Sequence, residues 1–130
     1  MTFSQLLILQ AVLACAFAQP GPEGVMGPLL SDTTALDLSS GGCVNNPGDV
    51  NAICADAGQM ANATLCAAAC AARTDCSAMT WHDANQGAWA MHCVLRLDGV
   101  WAPRACGAGC GHTAANKTSG WEPYTVGSCR

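Results

Sequence analysis

The chain has 130 residues, ten of them cysteines, and a formal net charge of −4 at pH 7. Its length suits one domain rather than two, and its 5 lysines and arginines are too scattered to form the basic patch of a nucleic-acid-binding protein. Aromatic residues make up only 5% of the chain, and much of the apolar content is alanine. Because alanine buries little area, cross-links are expected, as in small secreted domains.

The N-terminal segment predicts a secretory leader. Residues 6–17 are mostly apolar but are too few to span a bilayer, which takes roughly 20 residues. The A-F-A tripeptide that ends at residue 18 fits a cleavage site, so residues 1–18 are predicted to be a signal peptide. An uncleaved anchor and lipidation at Cys15 are the alternatives. No other stretch is long and apolar enough to cross a membrane, so a secreted, extracellular protein is expected.

Residues 19–42 are rich in proline and glycine, which argues against a continuous element. They are predicted to form a linker or an N-terminal arm, in which Thr33 to Leu38 has the residue types of one edge strand. The domain itself is predicted to span residues 43–130. Removal of the leader would take Cys15 away and leave nine cysteines, so that one thiol stays free or pairs with another chain.

A short helix is predicted to start near Asn62 or Thr64 and to run to about Arg73. Asparagine and threonine are good N-terminal caps, and alanine, which dominates the segment, has the highest intrinsic helix propensity. Cys66 and Cys70 are four residues apart and therefore lie on one face of this helix.

A two-stranded hairpin is predicted to follow, with strands at residues 77–82 and 88–95. A symmetric turn would place Trp81 opposite Trp89, on the same face as Cys93. This face is the larger and more apolar one. It is therefore expected to pack against the helix, with both tryptophans in the core.

Two disulfides are predicted to fasten the helix to the hairpin. Cys93 points towards the helix, where Cys66 is its natural partner, and Cys70 closes a short loop to Cys76. Each such bridge stabilises a small domain by roughly 2–4 kcal/mol.

The C-x3-C-x5-C spacing that starts at Cys66, the strand Ser-Ala-Met-Thr-Trp and the later Cys-Val-Leu-Arg resemble the PAN/apple module of extracellular proteins. The resemblance covers residues 43 to about 120. It implies the same two bridges and an α+β fold: a small disulfide-rich module with a twisted antiparallel sheet and one helix packed across it. Many apple modules also join their first and last cysteines, which here implies a bond between Cys43 and Cys129.

The remaining cysteines lie outside this pattern. Cys106 and Cys110 flank a Gly-Ala-Gly loop and are expected to bond to each other, which leaves Cys54 as the odd cysteine. Together with His112, the same two cysteines have the chemistry of zinc ligands. Structural zinc sites usually have paired ligand spacings, however, and a secreted chain oxidises its thiols, so neither a metal nor a cofactor is predicted.

The chain after the hairpin predicts little regular structure. Residues 100–102 are expected to form a short strand that ends at Pro103. The glycine-rich remainder is expected to contribute one last packed strand around Trp121, Tyr124 and Val126.

No catalytic constellation is predicted. The sequence contains no G-x-S-x-G motif, and the one pair of neighbouring acid and histidine, His82 and Asp83, points to opposite sides of a strand. His82 and His92 are predicted to lie on the face away from the helix, about 13 Å apart at 3.4 Å per residue. At that distance they cannot share one metal ion, and both are expected at the surface.

Ligand binding is expected to use exposed aromatic and histidine side chains. Rigid aromatic side chains anchor interfaces, so Trp101 and Trp121 are candidates, together with His82 and His92. The expected surfaces are the loops around residues 83–87 and 103–112 and the open sheet face. That face is predicted to comprise Ala78, Thr80, His82, Ala90, His92 and Val94.

Two N-x-T sequons predict glycosylation at Asn62 and Asn116 in a eukaryotic secreted chain. These features together predict a secreted, non-catalytic binding module whose partner is an extracellular protein or glycan. The alternative is a structural component of an extracellular matrix or coat, assembled through an intermolecular disulfide into a dimer or a layer.

Overall fold

The computed structural model describes residues 24–35, 43, 47–48, 51 and 53–122. The predicted leader, Cys15, Tyr124, Val126 and Cys129 lie outside the described residues. Among the residues that are described, no helix combines the length and the apolar character needed to cross a membrane. The elements are Val25–Met26 (β1), Leu30–Ser31 (β2), Thr33–Thr34 (β3), Cys54–Gln59 (β4), Ala63–Ala72 (α1), Ala78–His82 (β5), His92–Arg96 (β6), Arg104–Ala105 (β7) and His112–Ser119 (β8).

The main sheet is antiparallel throughout and has the strand order β1–β8–β5–β6–β4, with β2 also paired to β8. Strands β3 and β7 form a second, two-stranded sheet. Buried side chains of α1 pack against Met79 of β5 and Leu95 of β6, which places the main core between helix and sheet. One helix packed across an antiparallel sheet confirms the predicted α+β class.

Helix α1 begins where the sequence predicts. Asn62 is its N-terminal cap, and its side-chain oxygen accepts a hydrogen bond of 2.9 Å from the backbone N–H of Leu65. At the other end, the ammonium of Lys117 donates to the carbonyls of Cys70 (3.3 Å) and Arg73 (2.5 Å). A cation in this position compensates the partial negative charge of a helix C-terminus. Burial lowers the pKa of Lys117.

Two disulfides tie α1 to the structure beneath it. Cys66 is bonded to Cys93 of β6, and Cys70 is bonded to Cys76, just before β5. These are the two pairs that the sequence predicts. All four cysteines are fully buried, so the bridges are part of the core and add the apolar contact that alanine lacks.

The outer bridges differ in part from the prediction. Cys106 is bonded to Cys110, as expected. Cys43, however, is bonded to Cys54, so the pair of Cys43 with Cys129 is wrong and Cys54 is not the odd cysteine. The predicted pair of Cys43 with Cys129 rests on the family resemblance alone. In the structure, Cys54 is the first residue of the edge strand β4, which the sequence does not predict.

The hairpin has a different register from the predicted one. Trp81 lies opposite Cys93 and not opposite Trp89, because residues 83–91 form a long connection with a 3-10 turn at Gly87–Trp89. The residue opposite Trp81 is thus four positions further along the chain than predicted. Because side chains alternate between the two faces of a strand and four is an even number, the strand side chains keep their predicted faces. Trp81 therefore packs against the core beneath α1, as expected, whereas Trp89 does not.

Four strands of the main sheet have no counterpart in the sequence prediction, namely β4, β8 and the N-terminal pair β1 and β2. Strand β4 lies at one edge, and β8 lies between β5 and the pair β1 and β2. Strands β4 and β8 each contain two alanines and an asparagine or aspartate, which have low strand propensity. Residues 100–102 and Trp121, predicted as strand, lie in irregular structure, and the strand at this point is β7, directly after Pro103.

Residues 24–35 belong to the folded domain and do not form a linker. Strands β1 and β2 pair with β8. Of the edge strand expected at Thr33 to Leu38, β3 covers Thr33–Thr34, Ala35 is not in a strand, and residues 36–38 lie outside the described residues. The backbone N–H of Gly24 donates to the carbonyl of Ala71 in α1 (2.8 Å). A side chain at position 24 would overlap the Lys117 side chain, so this close approach requires glycine.

The sheet face away from α1 is buried, which contradicts the expected open binding face. Ala78 and Val94 are buried, and Thr80 is 1% exposed. The backbone N–H of Ala35 donates to Oγ1 of Thr80 (2.9 Å), and Arg96 donates to the Ala35 carbonyl (2.9 Å). Because the sheet carries mostly small side chains here, the N-terminal segment can pack directly on it. In the described structure, four of the six residues predicted for the open face are buried, and Ala90 and His92 are half-buried.

Candidate functional site

Three strands bring their histidines to one end of the main sheet. His82 is the last residue of β5, His92 is the first of β6, and His112 is the first of β8. Because neighbouring strands run antiparallel, the end of one lies beside the start of the next. Together with Trp89 from the connection between β5 and β6, these side chains form what we call the histidine end.

The rings of the histidine end contact one another. The ring centroids of His82 and His112 are 4.6 Å apart and edge to face, and Trp89 lies 5.6 Å from His82 and 5.7 Å from His92. The expected separation of about 13 Å between His82 and His92 is wrong, because Nδ1 of His82 lies only 3.1 Å from the carbonyl oxygen of His92. The changed hairpin register is the cause.

His82 is not the surface histidine that the sequence predicts. It is 7% exposed. Its Nδ1 must carry the proton, since the carbonyl of His92 can only accept a hydrogen bond. Burial lowers the pKa of His82, which keeps its imidazole neutral at neutral pH.

His92 is held by a carboxylate that lies 36 residues away in the sequence. Its Nδ1 is 2.7 Å and 2.9 Å from the two carboxylate oxygens of Asp56, whose side chain is 1% exposed. Burial raises the pKa of Asp56, but hydrogen bonds from His92 and from the backbone N–H groups of Gly58 and Gly48 outweigh it and lower the pKa overall. The Asp56 carboxylate therefore stays charged and fixes the ring of His92.

His112 is oriented by Gln86. The side-chain amide N–H of Gln86 donates to the Cys110 carbonyl (2.9 Å), so its amide oxygen faces Nε2 of His112 (3.1 Å). Since an amide oxygen can only accept, Nε2 carries the proton and Nδ1 carries the lone pair. Nδ1 is buried and has no hydrogen-bond partner among the described residues. Burial lowers the pKa of His112, so this lone pair stays unprotonated at neutral pH.

The Cys106–Cys110 disulfide lies against His112. The two Sγ atoms and one ring nitrogen of His112 all lie within 4.8 Å of one another, and all three side chains are half-buried. Within the described part of the chain, this is the one group of three potential metal-ligand side chains that close together. The sequence motif C-x3-C-x-H therefore does form a cluster, with the two sulfurs joined in a disulfide.

The other two predicted ligand residues lie elsewhere. Trp101 is half-buried and packs against a small alanine cluster that includes Ala35. Trp121 donates from its indole N–H to the Asp75 carbonyl (3.1 Å) and packs on Gly99. Both tryptophans thus have structural contacts, and neither is part of the histidine end.

The two sequons differ in their surroundings. Asn62 is exposed at the start of α1. Asn116 is half-buried within β8, where it pairs with Ala78 and its carbonyl accepts from the N–H of Gly27 (2.7 Å). Of the two, Asn62 has the more accessible side chain.

Sequence reasoning missed three residues of this site. Asp56 lies in a strand that was not predicted, Gln86 lies in a loop with no motif, and Trp89 was expected under the helix, which is wrong. Each contacts a partner through tertiary pairing, so no local pattern could have identified it.

Comparison with known proteins adds no relative: no protein-family profile, no curated protein and no solved structure matches the chain. A functional assignment therefore depends on the geometry of this site.

Proposed function

We propose that this chain is a secreted, non-catalytic binding module of the PAN/apple type, which recognises an extracellular protein or carbohydrate through the histidine end. The observation that carries the proposal is Trp89, a partly exposed indole that contacts the rings of both His82 and His92. Rigid aromatic side chains with polar neighbours are the usual anchors of recognition surfaces.

The disulfide framework supports the module type. One helix crosses an antiparallel sheet and is tied down by Cys66–Cys93 and Cys70–Cys76, the two pairings that the PAN/apple resemblance implies. Four bridges in so few residues are typical of proteins that fold in an oxidising compartment.

Of the two ligand classes, a carbohydrate suits the histidine end better. The loop that carries Trp89 also presents polar side chains, with Asn85 exposed and Asp83 and Gln86 half-buried. Sugars stack on aromatic rings and form hydrogen bonds with such groups. A protein partner would find larger exposed apolar side chains elsewhere, such as Leu65 on α1, which is 50% exposed.

A glycan array probed with the secreted full-length chain tests the proposal. We expect at least one carbohydrate to bind, and Trp89→Ala to weaken that binding by about 30-fold, the effect of losing an anchor worth about 2 kcal/mol. Thermal unfolding of the variant checks that the disulfide framework still folds.

Leu65→Ser is the matched control, because it removes an exposed apolar side chain from the helix face and leaves the histidine end intact. Carbohydrate binding that survives Trp89→Ala but is lost in Leu65→Ser would move the site to α1. Failure of the folded chain to bind any carbohydrate, together with binding to an extracellular protein that Trp89→Ala does not weaken, would contradict the proposal.

A second candidate function is covalent assembly of an extracellular layer. Every cysteine among the described residues is bonded, and the four bridges use eight of the nine cysteines that remain after removal of a leader. By this count Cys129 is available to another chain. Electrophoresis without a reductant would then show a dimer that Cys129→Ser abolishes, and a monomer with and without reductant would rule out the covalent version.

A further inference from the structure

Hydrogen bonds hold the loop of residues 106–110 in place, independently of the disulfide that lies beside His112. The backbone N–H of Cys106 donates to the Asp32 carbonyl (3.0 Å), and the N–H of Gly109 donates to the Asp32 carboxylate (2.9 Å). From the other side, Gln86 donates to the Cys110 carbonyl (2.9 Å). These bonds come from two separate segments of the chain. The two sulfurs would therefore stay close to each other if the bond between them were opened.

The third nearby group is the buried lone pair on Nδ1 of His112. Gln86 fixes the ring so that Nε2 is the protonated nitrogen, and Nδ1 meets no hydrogen-bond donor among the described residues. A buried acceptor without a donor costs free energy, and metal-ligating histidines are commonly oriented by just such a bond to their other ring nitrogen. The environment of His112 thus matches that of a metal ligand.

The distances suit a small tetrahedral ion. Zn–S bonds of about 2.3 Å and Zn–N bonds of about 2.0–2.1 Å place tetrahedral ligand atoms about 3.5–3.8 Å apart. The two sulfurs and one ring nitrogen of His112 already lie within 4.8 Å of one another. The Cα atoms of Cys106 and Cys110 are 5.8 Å apart, so opening the bond lets the sulfurs separate by small side-chain rotations.

We propose that reduction of the Cys106–Cys110 disulfide opens a site for one Zn2+, bound by the two thiolates and by Nδ1 of His112. A thiol reductant supplies two electrons and two protons to the bond and is itself oxidised to a disulfide. Binding of Zn2+ to the resulting two thiols releases two protons. The fourth coordination position is left to water or to an outside ligand. This site goes beyond the proposed recognition function and does not depend on it.

The Cys106–Cys110 bridge can be reduced selectively because the four bridges differ in how deeply they are buried. Cys54, Cys66, Cys70, Cys76 and Cys93 are fully buried, and each of the other three bridges contains at least one of them. Cys106 and Cys110 are half-buried, in a loop whose glycines are exposed. A mild reductant therefore reaches this bridge first, as access controls thiol exchange.

Metal titration of the folded full-length chain tests the proposal. After mild anaerobic reduction, with alkylation mapping to show that Cys106 and Cys110 have become thiols and that the other three described bridges are intact, we expect one Zn2+ per chain. Co2+ in its place should give thiolate-to-metal charge-transfer absorption, and Zn2+ should displace it. Gln86→Ala should weaken binding about 10- to 100-fold, since it frees the ring of His112, and His112→Ala should weaken it further.

The same chain supplies its own controls. The oxidised protein, and the reduced protein with both thiols alkylated, should bind no Zn2+ at this site. No uptake after proven reduction of Cys106 and Cys110, equal uptake by the oxidised chain, or unchanged affinity in folded His112→Ala would each overturn the proposal. The Co2+ spectrum of the unmutated chain gives an answer even if a variant fails to fold.

Discussion

At the scale of single residues, the histidine end depends on partners that lie far away in the sequence. Asp56 orients His92, and Gln86 orients His112. The His92 carbonyl fixes the proton of His82 on Nδ1. These hydrogen bonds fix the orientation of each ring relative to Trp89 or the neighbouring disulfide, and side chains held in this way lose less conformational entropy on binding.

We expect the free energy of unfolding to fall as the pH drops from about 7 to about 5. In the folded state, burial lowers the pKa of His82 and of His112 below the ordinary value of 6.5. The unfolded chain takes up protons near that value, so it binds more protons than the folded state in this window. The stabilisation is therefore complete above about pH 6.5 and is lost as the pH falls. Urea unfolding across this range measures it.

His82→Gln is the control for this pH dependence. It removes one titrating ring, so the free energy of unfolding should change less steeply with pH. Asp56 acts in a separate, more acidic window: its pKa is lowered overall from 3.8, so its contribution is lost only below that value. An unfolding free energy that is constant or that rises between about pH 7 and about pH 5 would contradict the burial of these two histidines.

We expect Asn62→Ala to destabilise the domain by about 1 kcal/mol, because it removes the side-chain oxygen that accepts from Leu65 at the start of α1. Asn62→Asp keeps that acceptor and should cost much less. Chemical denaturation of non-glycosylated protein measures both.

The same position tests glycosylation separately. In a eukaryotic host we expect a glycan on Asn62, and Thr64→Ala should remove the glycan while leaving the cap in place. An unchanged mass after glycosidase treatment of the unmutated chain would show that this exposed sequon is not used.

At the scale of elements, the sequence predicts those whose local signals and tertiary environment agree. Helix α1 has a cap and a run of alanines, and β5 has Met79, Thr80 and Trp81, so both were predicted. Strands β4 and β8 form although their alanine, asparagine and aspartate residues have low strand propensity, since neighbouring strands supply the hydrogen bonds. The sequence predicts the wrong hairpin register because no motif marks the length of the connection at residues 83–91.

The N-terminal strands provide a test at this scale. We expect Gly24→Ala to destabilise the domain by about 1–3 kcal/mol, since the added methyl group would overlap the Lys117 side chain and lie 2.5 Å from the Ser119 carbonyl. Denaturant unfolding measures the loss.

Val25→Thr is the matched control on the same strand, because Val25 is among the most exposed apolar side chains and the change should stay within about 0.5 kcal/mol. If Gly24→Ala were as stable as the unmutated chain, β1 would not be packed against α1 and β8, and residues 24–35 would belong to the linker or N-terminal arm that the sequence predicts.

At the scale of the whole molecule, disulfides replace the large side chains that the core lacks. The main core cluster contains Met79 and Leu95, but many of its other members are alanines and the four cysteines of Cys66–Cys93 and Cys70–Cys76. The folded arrangement of helix and sheet is stable mainly because the bridges reduce the conformational entropy of the unfolded chain. The histidine end is positioned by the strands that those bridges fix.

The bridge pattern is best checked by disulfide mapping of the unreduced native protein with peptide mass spectrometry. The structure predicts four linked peptide pairs, which are Cys43–Cys54, Cys66–Cys93, Cys70–Cys76 and Cys106–Cys110. A peptide that joins Cys66 or Cys70 to any other cysteine, or one that joins Cys43 to Cys129, would contradict it.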